Sequence, residues 1–296
     1  MIFVLLGAIQ AESFKLHVLF TNNIHGAIHE GPARFINPEF SPDLAGGAGA
    51  MSYVNTLRDE SKVDGDFVLL TDAGNIFQGT PLGTRDGGSK IIKWMNWLGY
   101  DALVPGVRDF DQGVKNLARL NEEAEFPFLA ANLKGVDGII PHKVLEFGNI
   151  KIGLIGLITP FISDGLLPEN YEGVEISPLI ETLNDEVAEL KNQVDLVFVL
   201  CHLGIPYDRE IKYKKFIKKI NEGESIEIKN AIELAHFTES VDMIITGGFS
   251  KGYNTPWVDP NTHAIVVQNY GSLTGIGHLI LNIDQDKKVK KDYSFP

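Results

Sequence analysis

Short apolar runs of strand length, spaced by stretches of helical periodicity, constrain this chain more than any other feature. Val, Ile, Leu and Phe dominate residues 14–20, 67–71, 126–130, 151–158, 195–200, 242–246, 264–268 and 278–283. Branched and aromatic side chains suit a pleated surface, and near-continuous apolar runs belong to strands covered on both faces. Between them, segments 48–60, 89–98, 112–123, 178–191 and 228–237 place apolar residues at helical intervals. In the fourth of these, Ser177 reads as an N-cap and Pro178 as the first helical residue, ahead of a stripe of Ile180, Leu183, Val187 and Leu190. Strand and helix alternating in this way predict an α/β fold with layered, buried sheets.

At 296 residues the chain is long for one compact domain, yet large α/β domains reach this size undivided. No repeat, low-complexity tract or clear linker splits it, so one domain is expected over 12–285, followed by a charged, loose tail at 286–296. The formal net charge of −13 argues against a nucleic-acid or anionic-membrane partner, which needs a clustered positive field. Residues 1–11 are apolar and end in Gly7, Ala8 and Ala11, which resembles a secretory signal cleaved after Ala11, although no basic segment precedes it. Such a leader places the protein in the periplasm or outside the cell; a buried N-terminal strand would leave it cytoplasmic. No other window approaches the roughly 18 apolar residues of a membrane span. Cys201 is the single cysteine, so no intrachain disulfide can form.

Segment 31–49, with Pro32, Pro38 and Pro42, reads as a surface loop. Segment 205–229 carries Lys212, Lys214, Lys215, Lys218 and Lys219 on an amphipathic helix with Phe216 and Ile220 opposite. A patch of this kind is a solvated face first and a docking surface for an acidic partner second.

Catalytic groups of layered α/β proteins sit on loops just past the carboxyl ends of strands. Five stretches have that placement: T-N-N-I-H-G at 21–26, D-A-G-N-I-F-Q-G-T-P at 72–81, G-V-R-D-F-D at 106–111, L-C-H-L-G at 200–204 and G-G-F-S-K at 247–251. With A-A-N-L at 130–133 and V-Q-N-Y-G at 267–271, their order and spacing resemble the N-terminal domain of the 5′-nucleotidase family within the calcineurin-like metallophosphoesterases. The resemblance runs over about 15–284. It implies a four-layer αββα sandwich, two divalent metals at the strand ends, and hydrolysis of phosphate esters such as 5′-nucleotides or nucleotide sugars.

The metal-binding positions implied by the resemblance are mostly replaced. The family's T-N-D-x-H-G has Asn23 in place of its Asp and keeps the histidine as His25. Its metal-bridging Asp is Asn75. G-N-H-E-F-D becomes a block with Val107 and Arg108 for the Asn and His, while the paired acid survives as Asp111. His202 is retained, and G-G-H-S-H becomes a block with Phe249 and Lys251 in place of the two histidines. Of seven ligand positions, two keep their ligands. Two cations about 4 Å apart repel, and a bridging carboxylate offsets that repulsion; Asn75 has no charge to offer. The expected outcome is a pseudoenzyme without metals, with His25, His202 and Asp111 as vestiges.

Bland readings stand beside this one. His25 and His202 can be hydrogen-bonded loop residues, Asn23 and Asn75 turn residues, and Cys201 an inert thiol behind a buried strand. Arg108 and Lys251 carry a sharper expectation: fixed cations replacing metals in a phosphate-binding pocket. The family's base-stacking C-terminal domain is expected to be absent, since the chain ends at Pro296. Trp257, Phe77 and Tyr253 read as core or loop anchors rather than substitutes for it. Three functions follow: a silent domain that binds a phosphate-containing small molecule or a protein partner, a weak phosphoesterase with a reduced metal site, or a structural piece of a larger protein.

Overall fold

A computed structural model of the protein describes residues 13–34, 37–284 and 289–290. The expected leader at 1–11 and all of the tail but 289–290 lie outside the described residues. The elements of the two main sheets and the helices of six or more residues are β1 (Phe14–Thr21), α1 (Gly46–Asp64), β2 (Phe67–Asp72), α2 (Ser89–Leu98), β3 (Ala102–Leu103), α3 (Val114–Glu123), β4 (His142–Phe147), β5 (Ile150–Leu157), α4 (Leu179–Leu190), β6 (Leu196–Cys201), α5 (Arg209–Asn221), α6 (Ala231–His236), β7 (Met243–Thr246), β8 (Trp257–Val258), β9 (Ile265–Val267), β10 (Gly277–Ile283) and β11 (Val289–Lys290).

The strands form a five-stranded sheet ordered β11-β10-β1-β2-β3 and a six-stranded sheet ordered β8-β9-β7-β6-β5-β4. In the first, β1, β2 and β3 run parallel and β10 pairs antiparallel with β1, Phe14 opposite Ile283. In the second, β5, β6, β7 and β9 are parallel, while β4 and β8 close the edges antiparallel.

Strand alternation explains the layering. From β6, Phe198 and Leu200 join β1 residues Leu16 and Val18 in the core between the sheets. Val197, Val199 and Cys201 point the other way, onto Leu183 and Leu190 of α4, Phe216 of α5 and Leu234 of α6. Helices α1, α2 and α3 join the first core through Val54, Met95 and Leu117. The result is the four-layer αββα sandwich, with β1 buried at every position but Lys15.

Three expectations are corrected. Residues 126–130 form no strand: Phe128 bridges Leu103 and Leu129 bridges Ile140 as isolated pairs on different neighbours, and Pro127 lacks the N–H a ladder needs. The sequence reading had no strand at β4, whose mixed polar pattern belongs to an edge. Helix α4 starts at Leu179 with Pro178 as its cap and no side-chain capping bond; the Ser177 amide donates instead to Asn132 O at 2.8 Å. The basic face of α5 is solvated, while Tyr213 and Phe216 are buried beneath it. No described helix is long and apolar enough to cross a membrane.

Candidate functional site

The five loops meet where both sheets end. Asn23 N donates to Gly74 O at 2.8 Å and His25 N to Asn75 O at 2.9 Å, joining the loops after β1 and β2. The second sheet contributes Gly248, whose amide donates to Asn23 Oδ1 at 2.9 Å. It also contributes His202, whose Nδ1 donates to Ala73 O at 2.5 Å. Asn23, His25 and Asn75 hold φ of 52°, 53° and 63°, the left-handed region that short amide side chains tolerate and a histidine enters only when its surroundings impose it.

Each retained histidine is fixed by its Nδ1. His25 Nδ1 donates to Gln78 O at 2.9 Å, which leaves Nε2 as the acceptor facing Asn23 Nδ2 at 3.3 Å. Since Asn23 Oδ1 is taken by Gly248, the amide orientation is set by its bonds. Burial holds His25 below its ordinary range, and the charge of Arg108 adds to that. Burial takes His202 down to about 4. Both imidazoles are neutral at pH 7.

The positions at which the resemblance implies metal ligands have partners within the protein. Asn75 Oδ1 accepts from Arg108 N at 2.8 Å. The Arg108 guanidinium donates to Gly165 O at 3.0 Å and lies 3.5 Å from Asp111 Oδ1. Burial raises the Asp111 carboxyl, and Arg108 opposes that shift. Phe249 sets its ring edge-to-face with Tyr207, centroids 6.1 Å apart, and lies over Gly204. Lys251 holds its ammonium 5.2 Å from the Tyr207 ring centre and 4.9 Å from that of Tyr253. Arg108 and Lys251 are therefore engaged by separate partners, one on the 165 turn and one on an aromatic pair. Among the described residues, no three His, Cys, Asp or Glu side chains are grouped so as to hold an ion.

Asp109 organises the floor, and the sequence reading assigned it no role. Its carboxylate accepts from the amides of Asn75 at 2.7 Å, Ile76 at 2.8 Å and Gly106 at 2.8 Å. Burial pushes it up to about 6 against those three bonds. The available signal was the acid three residues after Gly106, the spacing of a capping interaction. Gly106 has no room for a side chain: a Cβ there would lie 2.4 Å from Asn75 Oδ1 and 2.6 Å from His202 Cε1. Asp72, also buried, takes the Thr21 hydroxyl at 2.6 Å and the Gly74 amide at 2.7 Å, and burial lifts it to about 7. Cys201 is buried beside Thr246, its thiol pushed up to about 12. Phe77 is fully buried, Trp257 packs 5.0 Å from Tyr213, and Tyr253 lies beneath the Arg209 guanidinium; all three are anchors.

No protein-family model matches the chain. It is 32% identical over 220 residues to a snake venom 5′-nucleotidase of Gloydius brevicauda, covering 70% of this chain and 36% of that protein. To the 5′-nucleotidase of Homo sapiens it is 32% identical over 220 residues, covering 69% of this chain and 36% of the other. The chain thus spans about a third of the length of these curated relatives. A 5′-nucleotidase precursor from Thermus thermophilus superposes with a TM-score of 0.72 at 22% identity, covering 95% of this chain and 54% of that one. A calcineurin-like phosphoesterase from Bacillus subtilis gives 0.70 at 23% identity, covering 96% of this chain and 90% of that one. At such identity these structures show the fold alone. With the relatives' identity, the αββα layers and the five loops gathered at the strand ends, the chain belongs to the 5′-nucleotidase family, on a fold it shares with the calcineurin-like phosphoesterase.

Proposed function

We propose that the chain is a catalytically silent domain of this family that acts as a binding module, with Arg108 presenting the strand-end loops to a phosphate-containing ligand. The observation that carries this reading is the use of the two asparagines. Asn23 turns its amide nitrogen toward His25 Nε2 at 3.3 Å, and Asn75 spends its side-chain oxygen on the Arg108 amide at 2.8 Å. Atoms in the places of metal-binding oxygens are thus engaged within the protein.

The donor set does not fit two divalent cations. Val107 and Phe249 have no donor atoms, Lys251 carries a cation's charge, and a neutral Asn75 cannot offset repulsion between two metals. What the loops retain is an exposed guanidinium, 49% accessible, whose planar fork matches phosphate oxygens. Asp111 at 3.5 Å competes for it, so the affinity for free phosphate is expected to be modest.

Metal content tests the silent-enzyme reading. Protein incubated with manganese and zinc, then desalted, is expected to carry essentially no metal by plasma mass spectrometry, and to leave a generic phosphate monoester intact. Two bound equivalents with hydrolysis would overturn it in favour of a phosphoesterase with an altered site. Calorimetric titration with inorganic phosphate tests the binding half: the expected heat is lost in Arg108→Ala, and no heat from the unaltered protein would end it.

A further inference from the structure

A cleft of about 760 Å³ opens between α1, the 268–276 loop and the start of β10. It is lined by Tyr53 and His278, and among the described residues no Lys, Arg, Asp or Glu contributes to its wall, in a protein whose net charge is −13. A phosphate or carboxylate entering it would lose hydration with no cation to receive it. A cation would find no carboxylate.

The hydrogen-bond polarity of the wall is set from beneath. The Asp66 carboxylate lies 3.7 Å from His17 Nε2, His17 Nδ1 is 2.8 Å from His278 Nε2, and His278 Nδ1 is 2.7 Å from Tyr53 Oη. Burial holds both imidazoles below their ordinary range, His278 at about 4, so each is neutral with one N–H. A carboxylate only accepts. The charge of Asp66 at 3.7 Å favours the His17 proton on Nε2; His278 then donates from Nε2 to His17, and the Tyr53 hydroxyl donates to His278 Nδ1. Tyr53 turns its proton inward and is left with acceptor lone pairs.

Two further wall groups offer acceptors. Thr274 spends its hydroxyl proton on Gly271 O at 3.1 Å, and Asn269, with one Nδ2 N–H on Gly275 O at 2.7 Å, keeps its Oδ1 and a second N–H. Acceptors remain at Tyr53, Thr274 and Asn269, beside apolar surface from Leu273 and the 47% exposed ring of Tyr270. Asn254 and the Tyr270 hydroxyl add groups that both donate and accept, so the complement of such a wall is a neutral molecule with hydroxyls at its edge and an apolar ring face.

We propose that this cleft is a second ligand site, beside the five strand-end loops and walled by different side chains from Arg108 and Asp111, that takes a neutral furanose or pyranose sugar. Sugar hydroxyls donate to the three acceptors, and the C–H face of the ring lies on tyrosine. The site is independent of the fate of the metal positions.

Saturation-transfer NMR and calorimetry on the full chain, with ribose, glucose, galactose and N-acetylglucosamine, test this. At least one sugar is expected to bind saturably in the millimolar range, with glucose 6-phosphate weaker than glucose and choline silent. Tyr53→Phe and Thr274→Val each remove one acceptor and are expected to weaken binding about five-fold, the value of one ordinary hydrogen bond, while Arg108→Ala leaves it unchanged. Circular dichroism and melting curves of both variants report whether the fold is kept; two positions make one misfolded variant insufficient to hide the answer. No saturable binding of any neutral sugar into the tens of millimolar would overturn the proposal. So would unchanged affinity in both folded variants, or choline binding in place of sugar.

Discussion

The side-chain oxygen of Asn75 accepts the main-chain amide of Arg108 at 2.8 Å, joining two loops 33 residues apart. In a two-metal relative of this family, the resemblance puts a bridging carboxylate at the first position and a transition-state histidine at the second. Here a neutral amide has become a structural tie. Asn75→Asp is expected to preserve folding, because a carboxylate accepts the same bond. It is also expected to give no manganese-dependent hydrolysis of a phosphate monoester, since Val107, Phe249 and Lys251 still deny the metals their ligands. Measurable turnover from this single change would show a site closer to competence.

Asp109 supports that tie from below with three main-chain bonds. Asp109→Ala leaves three buried amides without an acceptor and is expected to cost about 3 kcal/mol or more. Asp109→Asn keeps one accepting oxygen and is expected to cost less. Urea midpoints followed by circular dichroism separate the two variants.

Phe249 covers Gly204, whose φ is +74° and where a Cβ would lie 2.4 Å from the Phe249 ring. Gly204→Ala therefore combines a clash with a left-handed alanine and is expected to lose about 2 kcal/mol or more. In a Phe249→Ala background the clash disappears and the backbone cost of about 1 kcal/mol remains. Equal losses in both backgrounds would show that the phenylalanine does not confine the turn.

Lys251 stands over Tyr207 and Tyr253 and is partly exposed. Lys251→Met is expected to change stability by less than about 1 kcal/mol and to leave phosphate titration heats unchanged, whereas Arg108→Ala abolishes them. Loss of those heats in Lys251→Met would mean that the ammonium swings into the loops when an anion arrives.

The His278 imidazole, taken down to about 4 by burial, gives a pH dependence of definite sign. An unfolded histidine takes a proton near 6.5. Between about 6.5 and 4 the unfolded chain binds the proton and the native one does not, so this contribution is complete above 6.5 and is lost as the pH falls through that window, by up to about 3 kcal/mol. Asp72 and Asp109, raised by burial, act with the opposite sign over an overlapping window. The measurement is accordingly a difference: stability of the unaltered protein minus that of His278→Gln should decline from pH 6.5 to 4, and a flat difference would contradict the buried relay.

Some of the site was legible because it is written in contiguous residues. The loops at 21–26, 72–81, 200–204 and 247–251 were placed after strands by apolar runs, and β1, β2, β6 and β7 end where those runs end; 106–111 follows the two-residue β3, which no apolar run announced. The residue types at Asn23, Asn75, Val107, Phe249 and Lys251 are equally legible in the sequence. The direction a side chain takes was not legible. Lys251 at a ligand position could face the pocket or a neighbouring ring, and the choice rests on Tyr207 and Tyr253.

The sequence by itself determined the alternation of buried strands and helices, hence the α/β layers, and the chemistry of each side chain carried by the five loops. Period-two and helical patterning act over a few neighbours, and a side chain's chemistry belongs to it wherever it lies. Only the tertiary structure decided that Asn75 ties Arg108, that Asp109 holds three amides, and that Tyr53 turns its proton toward His278, 225 residues away. Those outcomes depend on which distant groups the two sheets bring within hydrogen-bond reach, and burial then leaves each polar atom no alternative but the partner beside it.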